Sequence, residues 1–248
     1  MTELVHYDVA DGVAMVTLDS PHNKNALSKQ LVTELFERLE RAQDDPQVKV
    51  VLLRAEGSVF CSGADLSEAA AGGMEQGARS MAEIFRRIVA HEKPVVARVS
   101  GAVRAGGIGI LGACDIVVAA DTSTFALTEV RLALAPAVIS LTLLPRMTSR
   151  AAALTFLTGS VFNGTEAAAY GLVTKSVPED ELNIEVEEIC GALSKGHPQG
   201  LRETKKLLSG HLLEHIDAGI DDMAALSARL FGSDEAREAM LAFLSRKK

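Results

Sequence analysis

The chain has 248 residues, 48% of them hydrophobic and 23% charged, which suits one sizeable globular domain, with or without a small appendage, and excludes global disorder. A formal net charge of −8 disfavours nucleic acid as a partner, and no apolar run reaches the 18 residues a membrane-spanning helix needs. Trp is absent and aromatics make up 4%, so the core must be built from Val, Leu, Ile and Ala.

In chain order, Val5–Ala10 and Val13–Leu18 read as strands around a turn at Asp11-Gly12. Glu3 and Asp8 sit where a secretion signal would be apolar. Ser28 caps a helix reaching about Gln43, with Leu31, Leu35 and Leu39 on one face. Val48–Leu53 is a continuous apolar run, the pattern of a strand buried on both faces. Gly57–Leu66 is a glycine-bearing loop, and Ala69–Gly77 reads as a mobile loop before a helix at about Ala78–His91.

Pro94–Val99 is another buried strand, Gly101–Gly109 a glycine-rich turn with a short helix starting near Gly106, and Asp115–Ala120 a third buried strand. This alternation predicts an α/β core. Beyond Pro136 the pattern is helical, with segments at about Ser149–Gly159, Thr165–Tyr170, Glu181–Ser194, Leu201–Leu208, Asp217–Phe231 and Asp234–Leu244. We divide the chain into a core over 1–190 and a helical region over 191–248.

Cys61, Cys114 and Cys190 are widely spaced, odd in number and form no CxxC, which predicts reduced thiols in a cytosolic protein. The six His are scattered without HExxH, so no metal is expected.

Two glycine-rich loops, Gly57–Leu66 and Gly101–Gly109, each follow a buried strand. Glycine lets backbone N–H groups approach a ligand closely, and the first N–H groups of a helix starting at Gly106 would lack intrahelical partners and favour negative charge. Two such donors could hold an oxyanion. The same residues could equally be glycine-rich connectors of an ordinary α/β fold. GxxxxGK[ST] and GxGxxG are both absent.

Further landmarks occur in order: Asn25-Ala26-Leu27, Phe60 through Leu66, Gly101 through Asp115, Phe125 with Glu129, Pro136, Leu157-Thr158-Gly159, Tyr170-Gly171-Leu172-Val173 and Ala242-Phe243-Leu244. With this ordered set the chain resembles the crotonase, or enoyl-CoA hydratase/isomerase, superfamily over nearly its whole length. The resemblance implies a spiral of ββα repeats with a helical C-terminal trimerisation region, assembled as a homotrimer or a dimer of trimers. It implies an acyl-CoA thioester substrate, so that coenzyme A is part of the substrate and no separate cofactor is required. It assigns the oxyanion-hole N–H groups to Ala64 and Gly106 and the catalytic carboxylate to Glu129. It places Lys24, Ala26, Asp65 and Leu66 along the coenzyme A, with Phe243 and Arg246 reaching that of a neighbouring subunit.

Hydratases of this superfamily place two glutamates around the double bond, and the first falls at Gly109 here. Glycine supplies no acid or base, so the resemblance implies hydration of a 2-enoyl thioester with a single glutamate. Double-bond isomerisation from the 3- to the 2-position and acyl-CoA binding without turnover are the alternatives. Ala105 through Ile110, Glu129 through Leu132 and Ala135 through Ile139 resemble bacterial methylglutaconyl-type hydratases.

Arg98 lies in an otherwise apolar strand and needs a partner, with Asp115 and Glu129 as candidates. Either Arg98 or Arg104 could instead meet a second carboxylate on a dicarboxylic acyl group. Asp65 is expected to organise its loop, and the cysteines to pack rather than react.

Overall fold

The computed structural model describes residues 2–65, 68 and 74–245. Its strands are β1 (Val5–Ala10), β2 (Val13–Leu18), β3 (Val50–Ala55), β4 (Val59–Cys61), β5 (Val95–Val99), β6 (Ala102–Arg104), β7 (Ile116–Ala120), β8 (Thr124–Ala126), β9 (Phe162–Asn163) and β10 (Lys175–Val177). Its helices are α1 (Lys29–Asp44), α2 (Met74–Ala90), α3 (Gly106–Ala113), α4 (Ala137–Leu143), α5 (Ser149–Thr158), α6 (Gly164–Ala169), α7 (Leu182–Ser194), α8 (Pro198–Phe231) and α9 (Asp234–Ser245).

The strands form two sheets, ordered β1-β2-β3-β5-β7-β10 and β4-β6-β8-β9. Along the chain each long strand of the first sheet is followed by a three-residue strand of the second: β3 then β4, β5 then β6, β7 then β8. After the first two of these pairs a helix follows, α2 and then α3, before the next pair begins. Pairing within β2-β3-β5-β7-β10 and within β4-β6-β8 is parallel, so each turn stacks on the last as a rising spiral. This is the expected α/β spiral of ββα turns with long C-terminal helices.

Phe60, Phe85, Phe125, Leu31, Leu35 and Leu53 are fully enclosed in the main core. A second core lies on the other face of the large sheet, where Val50, Val96 and Val118 meet Leu182 and Val186 of α7. The strand runs are apolar on consecutive residues because both faces of this sheet are covered.

Several elements differ from the sequence expectation. The helix expected from Ala78 begins at Met74, so residues 74–77 are helical; residues 69–73, the rest of the expected mobile loop, lie outside the described residues. The two helices expected at Leu201–Leu208 and Asp217–Phe231 are one helix of 34 residues. His197 caps it, Pro198 occupies its first turn, and buried Leu212 and Ile216 carry it across the presumed gap. Packing against α2 and α4 outweighs the modest cost of Gly210. Helix α4 was not expected, because Ala-Val-Ile-Ser-Leu-Thr-Leu is buried all round and shows no helical periodicity. The three-residue strands β4 and β6 were hidden inside the glycine-rich loops, and β8 in the short segment that follows β7.

Asp115 does not meet Arg98. It pairs with Lys205 of α8, whose Nζ lies 2.7 Å from Asp115 Oδ2 at 4% exposure. Lys205 also donates to the carbonyls of Ile88 (2.9 Å) and Lys93 (3.2 Å), which fastens the long helix to the end of α2. Burial draws the Lys205 ammonium below its usual range, and the Asp115 carboxylate opposes that shift. Arg98 instead donates to Asn183 Oδ1 at 2.7 Å. Among the described residues no helix is long and apolar enough to cross a membrane.

Candidate active site

The second sheet sets the site. Cys61 pairs with Val103 and Val103 with Phe125, so β4, β6 and β8 are aligned side by side. Ala64 follows Cys61 by three residues, Gly106 follows Val103 by three, and Glu129 follows Phe125 by four. All three therefore emerge from the carboxyl ends of neighbouring parallel strands, where open α/β sheets collect their ligands.

The first loop is fixed from the side. Leu27 and Ala64 form an isolated parallel bridge in which the Leu27 N–H donates to Gly63 O at 2.8 Å. In this geometry the ladder uses the peptide groups flanking Ala64, so the Ala64 N–H turns the other way. No intramolecular acceptor meets it among the described residues. Gly63 has φ +91°, and a Cβ there would stand 2.8 Å from Ala105 Cβ and 3.4 Å from Gly106 N. Only glycine permits both that conformation and that approach, which brings the two loops together.

The second loop turns sharply into α3. Ala105 has φ 45° and ψ −119°, strained for a residue with a side chain. The N–H groups of Ile108 and Gly109 bond to Ala105 O, while that of Gly106 has no intramolecular acceptor among the described residues. Arg104 braces the turn from behind, donating to Val103 O (2.8 Å), Thr124 O (2.6 Å) and Thr124 Oγ1 (3.1 Å). Two unused N–H groups, Ala64 and Gly106, thus stand at adjoining loops, the second at the positive end of a helix.

Glu129 opens a 3-10 turn over Glu129–Leu132. One of its carboxyl oxygens, Oε2, is enclosed without a hydrogen-bond partner. Burial pushes this carboxyl up to about 7 from an ordinary 4.5, against a smaller opposing pull from its own backbone N–H. An ion pair with Arg131 is not formed; Arg131 donates to Thr158 O at 3.3 Å. Helix α9 packs against this turn from within the same chain.

Lys24 and Ala26 lie beside the first loop: Ser62 N–H donates to Lys24 O at 3.1 Å, and Lys24 takes a left-handed conformation at φ 60°. Asp65 organises its loop as expected, accepting from Asn23 Nδ2 at 3.2 Å and from the Glu68 N–H at 3.4 Å. Leu66, Arg246 and the side chain of Phe243 lie outside the described residues. Burial raises Cys61 and Cys114 to about 12 and Cys190 to about 11, so all three are unreactive thiols at neutral pH. No cluster of metal-ligating side chains occurs among the described residues.

Three contributors were given no role from the sequence. Asn25, at 1% exposure, accepts from the Ser20 N–H (2.6 Å) and donates to Val59 O (2.8 Å) and Glu56 O (3.2 Å), tying the Lys24–Leu27 segment to β4. Met81 and Phe85, one turn apart on α2, seat against Gly106 and Gly109, one turn apart on α3. The matching spacings, four residues against three, were the available signal.

Comparison with known proteins shows the family and the fold. The family model described as enoyl-CoA hydratase/isomerase matches residues 8–248. A crystal structure of an enoyl-CoA hydratase from Mycobacterium avium superposes with a TM-score of 0.93 at 46% identity, covering 99% of this chain and 98% of the other. A crotonyl-CoA hydratase from Syntrophomonas wolfei is 32% identical over 243 residues, 95% of this chain and 93% of that protein. A peroxisomal Δ(3,5)-Δ(2,4)-dienoyl-CoA isomerase from Arabidopsis thaliana is 29% identical over 264 residues, covering 99% of this chain and 95% of that protein.

Proposed function

The chain belongs to the enoyl-CoA hydratase/isomerase family, and from that membership we propose that it adds water to a 2-enoyl-CoA thioester, with Glu129 as its only acid–base group. The observation that carries the reading is the register of β4, β6 and β8, which delivers Ala64, Gly106 and Glu129 to one end of one sheet.

In this reading the thioester oxygen accepts hydrogen bonds from the Ala64 and Gly106 N–H groups. Polarisation makes C3 electrophilic. Ionised Glu129 takes a proton from water as the new C3–O bond forms, and the two N–H groups hold the enolate oxygen. Glu129 then returns that proton to C2, so it ends as it began. Donors aimed at a developing oxyanion are each worth roughly 3–4 kcal/mol. A carboxyl near 7 is ionised in about half of the molecules at neutral pH and is a fitting acid once protonated. Coenzyme A arrives with the substrate and lies along Lys24, Ala26, Asp65 and Leu66, and Phe243 and Arg246 of the C-terminal region reach the coenzyme A of a neighbouring subunit.

Isomerisation of a 3-enoyl to a 2-enoyl thioester is the second reading, favoured by one observation. Phe85 and Ile139 occupy the space beside Gly109, leaving no room there for a second carboxylate. One base suffices to remove a proton at C2 and return it at C4. Purified protein offered 2-enoyl and 3-enoyl esters distinguishes these readings. A hydratase consumes 2-enoyl absorbance and an isomerase creates it from the 3-enoyl ester. Saturable binding with no conversion of either refutes both.

The reading extends to a cytosolic homotrimer or dimer of trimers, with the region 191–248 supporting assembly. Exposed Leu144 lines a cleft of about 380 Å³ with Met147, Ala152 and Phe156, and Leu154 and Leu157 are exposed on helix α5, which forms part of its wall. An apolar area of this kind suits contact with another copy. Light scattering at micromolar concentration should give a mass three or six times that of the chain. A monomer would refute the assembly.

A further inference from the structure

The wall beside the proposed oxyanion donors is hydrocarbon. A Cβ at Gly106 would stand 2.8 Å from Met81 Cε, 3.0 Å from Met81 Sδ and 2.9 Å from Leu27 Cδ1. A Cβ at Gly109 would stand 2.9 Å from both Phe85 Cε2 and Ile139 Cγ2. Met81 is partly exposed and Phe85 has no exposed surface. Along the face of α3 from its first N–H inward, the wall therefore runs from an adaptable thioether near the surface to a fixed ring and a branched chain at the inner end.

The two arginines that could have met a charged acyl group are engaged elsewhere. Arg104 spends its guanidinium on Val103 O and on Thr124 O and Oγ1, and Arg98 donates to Asn183. A carboxylate pushed against Met81 would lose its hydration without gaining a partner among the described residues, which is costly.

We infer that Met81, backed by the enclosed Phe85, determines acyl specificity, selecting an uncharged acyl group and rejecting one that carries a second carboxylate. The inference rests on the thioester oxygen lying at Ala64 and Gly106, because the acyl carbons must then run past Gly106. It argues against a methylglutaconyl-type substrate. Met81 is the adjustable member: its side chain reaches solvent, so a longer charged side chain can replace it without burying its charge. Phe85 is the fixed member, held by the core around it.

The test is calorimetric titration with two saturated thioesters that cannot react, butanoyl-CoA and glutaryl-CoA, alongside free coenzyme A. The parent protein should bind butanoyl-CoA at least about 30-fold more tightly than glutaryl-CoA, a ratio set by desolvating the extra carboxylate. Met81→Lys should narrow that ratio about tenfold through gained glutaryl-CoA affinity, as a close opposite charge provides the missing partner. Its affinity for free coenzyme A should stay within about twofold, on the same ground that the change acts at the acyl end.

Equal binding of the two esters by the parent overturns the inference, as does binding of both no better than free coenzyme A. A ratio unmoved in folded Met81→Lys overturns the assignment to Met81. The parent ratio does not depend on any variant folding. Selective binding without turnover of any enoyl ester would leave this inference standing while refuting the proposed hydration.

Discussion

The ring of Phe85 fills the space into which a side chain at Gly109 would project. A Cβ added there would also meet Ile139 Cγ2 at 2.9 Å, closer than carbon atoms approach in folded proteins. The glycine is therefore one half of a size-matched pair, and the missing carboxylate is not simply a deletion that a single substitution can reverse. Gly109→Glu alone should overpack the core and lower stability by about 1–3 kcal/mol or more, since it also brings in a buried carboxyl. Phe85→Ala with Gly109→Glu makes room for the new side chain and should melt above Gly109→Glu alone. A thermal melt of the parent and these two variants decides this. If Gly109→Glu melts with the parent, the packing account is wrong.

Glu129→Gln keeps the shape of the side chain and removes the base. Turnover should fall by about 10²–10⁴-fold with little change in acyl-CoA affinity. Because burial sets the carboxyl near 7, the parent kcat/KM should rise with pH and reach half its limit at about pH 7. Stability has the opposite slope. Between 4.5 and about 7 the folded chain holds a proton that the unfolded chain has lost, so this group's contribution declines as pH rises through that window. The slope is at most about 1.4 kcal/mol per pH unit, and Glu129→Gln should remove it. A pH–rate profile with no limb near 7 would count against Glu129 as the base.

Removal of a backbone donor is best done at Ala64. Its N–H takes no part in the Leu27 bridge, and it already carries a Cβ. Ala64→Pro should fold and lose about 10²–10³-fold in kcat. Gly106→Pro is less clean, since its ring would crowd Met81 Cε and the strained Ala105 precedes it. Retention of full activity by folded Ala64→Pro would remove Ala64 from the oxyanion hole.

The pair Lys205–Asp115 should behave as a buried ion pair. Lys205→Met leaves Asp115 partly enclosed without its cation and should cost about 3–5 kcal/mol. Adding Asp115→Asn removes the stranded charge while keeping an acceptor for the Val95 N–H, and should recover more than half of that loss. Chemical denaturation of both variants measures this. A double variant no more stable than Lys205→Met would show that the charge is not what matters.

Periodicity and composition, by themselves, determined the long strands, α1 and the amphipathic C-terminal helices, because an element that buries one face or two writes that burial into its own residues. The glycine-rich loops pointed to backbone donors for a similarly local reason: only glycine allows the turn at Gly63 and the contact at Gly106. The ordered landmarks determined the family and marked Glu129 and the vacancy at Gly109. What remained hidden depended on partners far away in sequence. Strands β4, β6 and β8 are three residues long and exist only because each has a neighbour to pair with, yet their register is what puts Ala64, Gly106 and Glu129 at one end of one sheet. The raised pKa of Glu129 comes from burial, which no local pattern reports. Asp115 chose Lys205 over Arg98, and Phe85 filled the place of residue 109, because elements distant in sequence pack side by side; proximity in space, not along the chain, decides which charges pair and which volumes are filled.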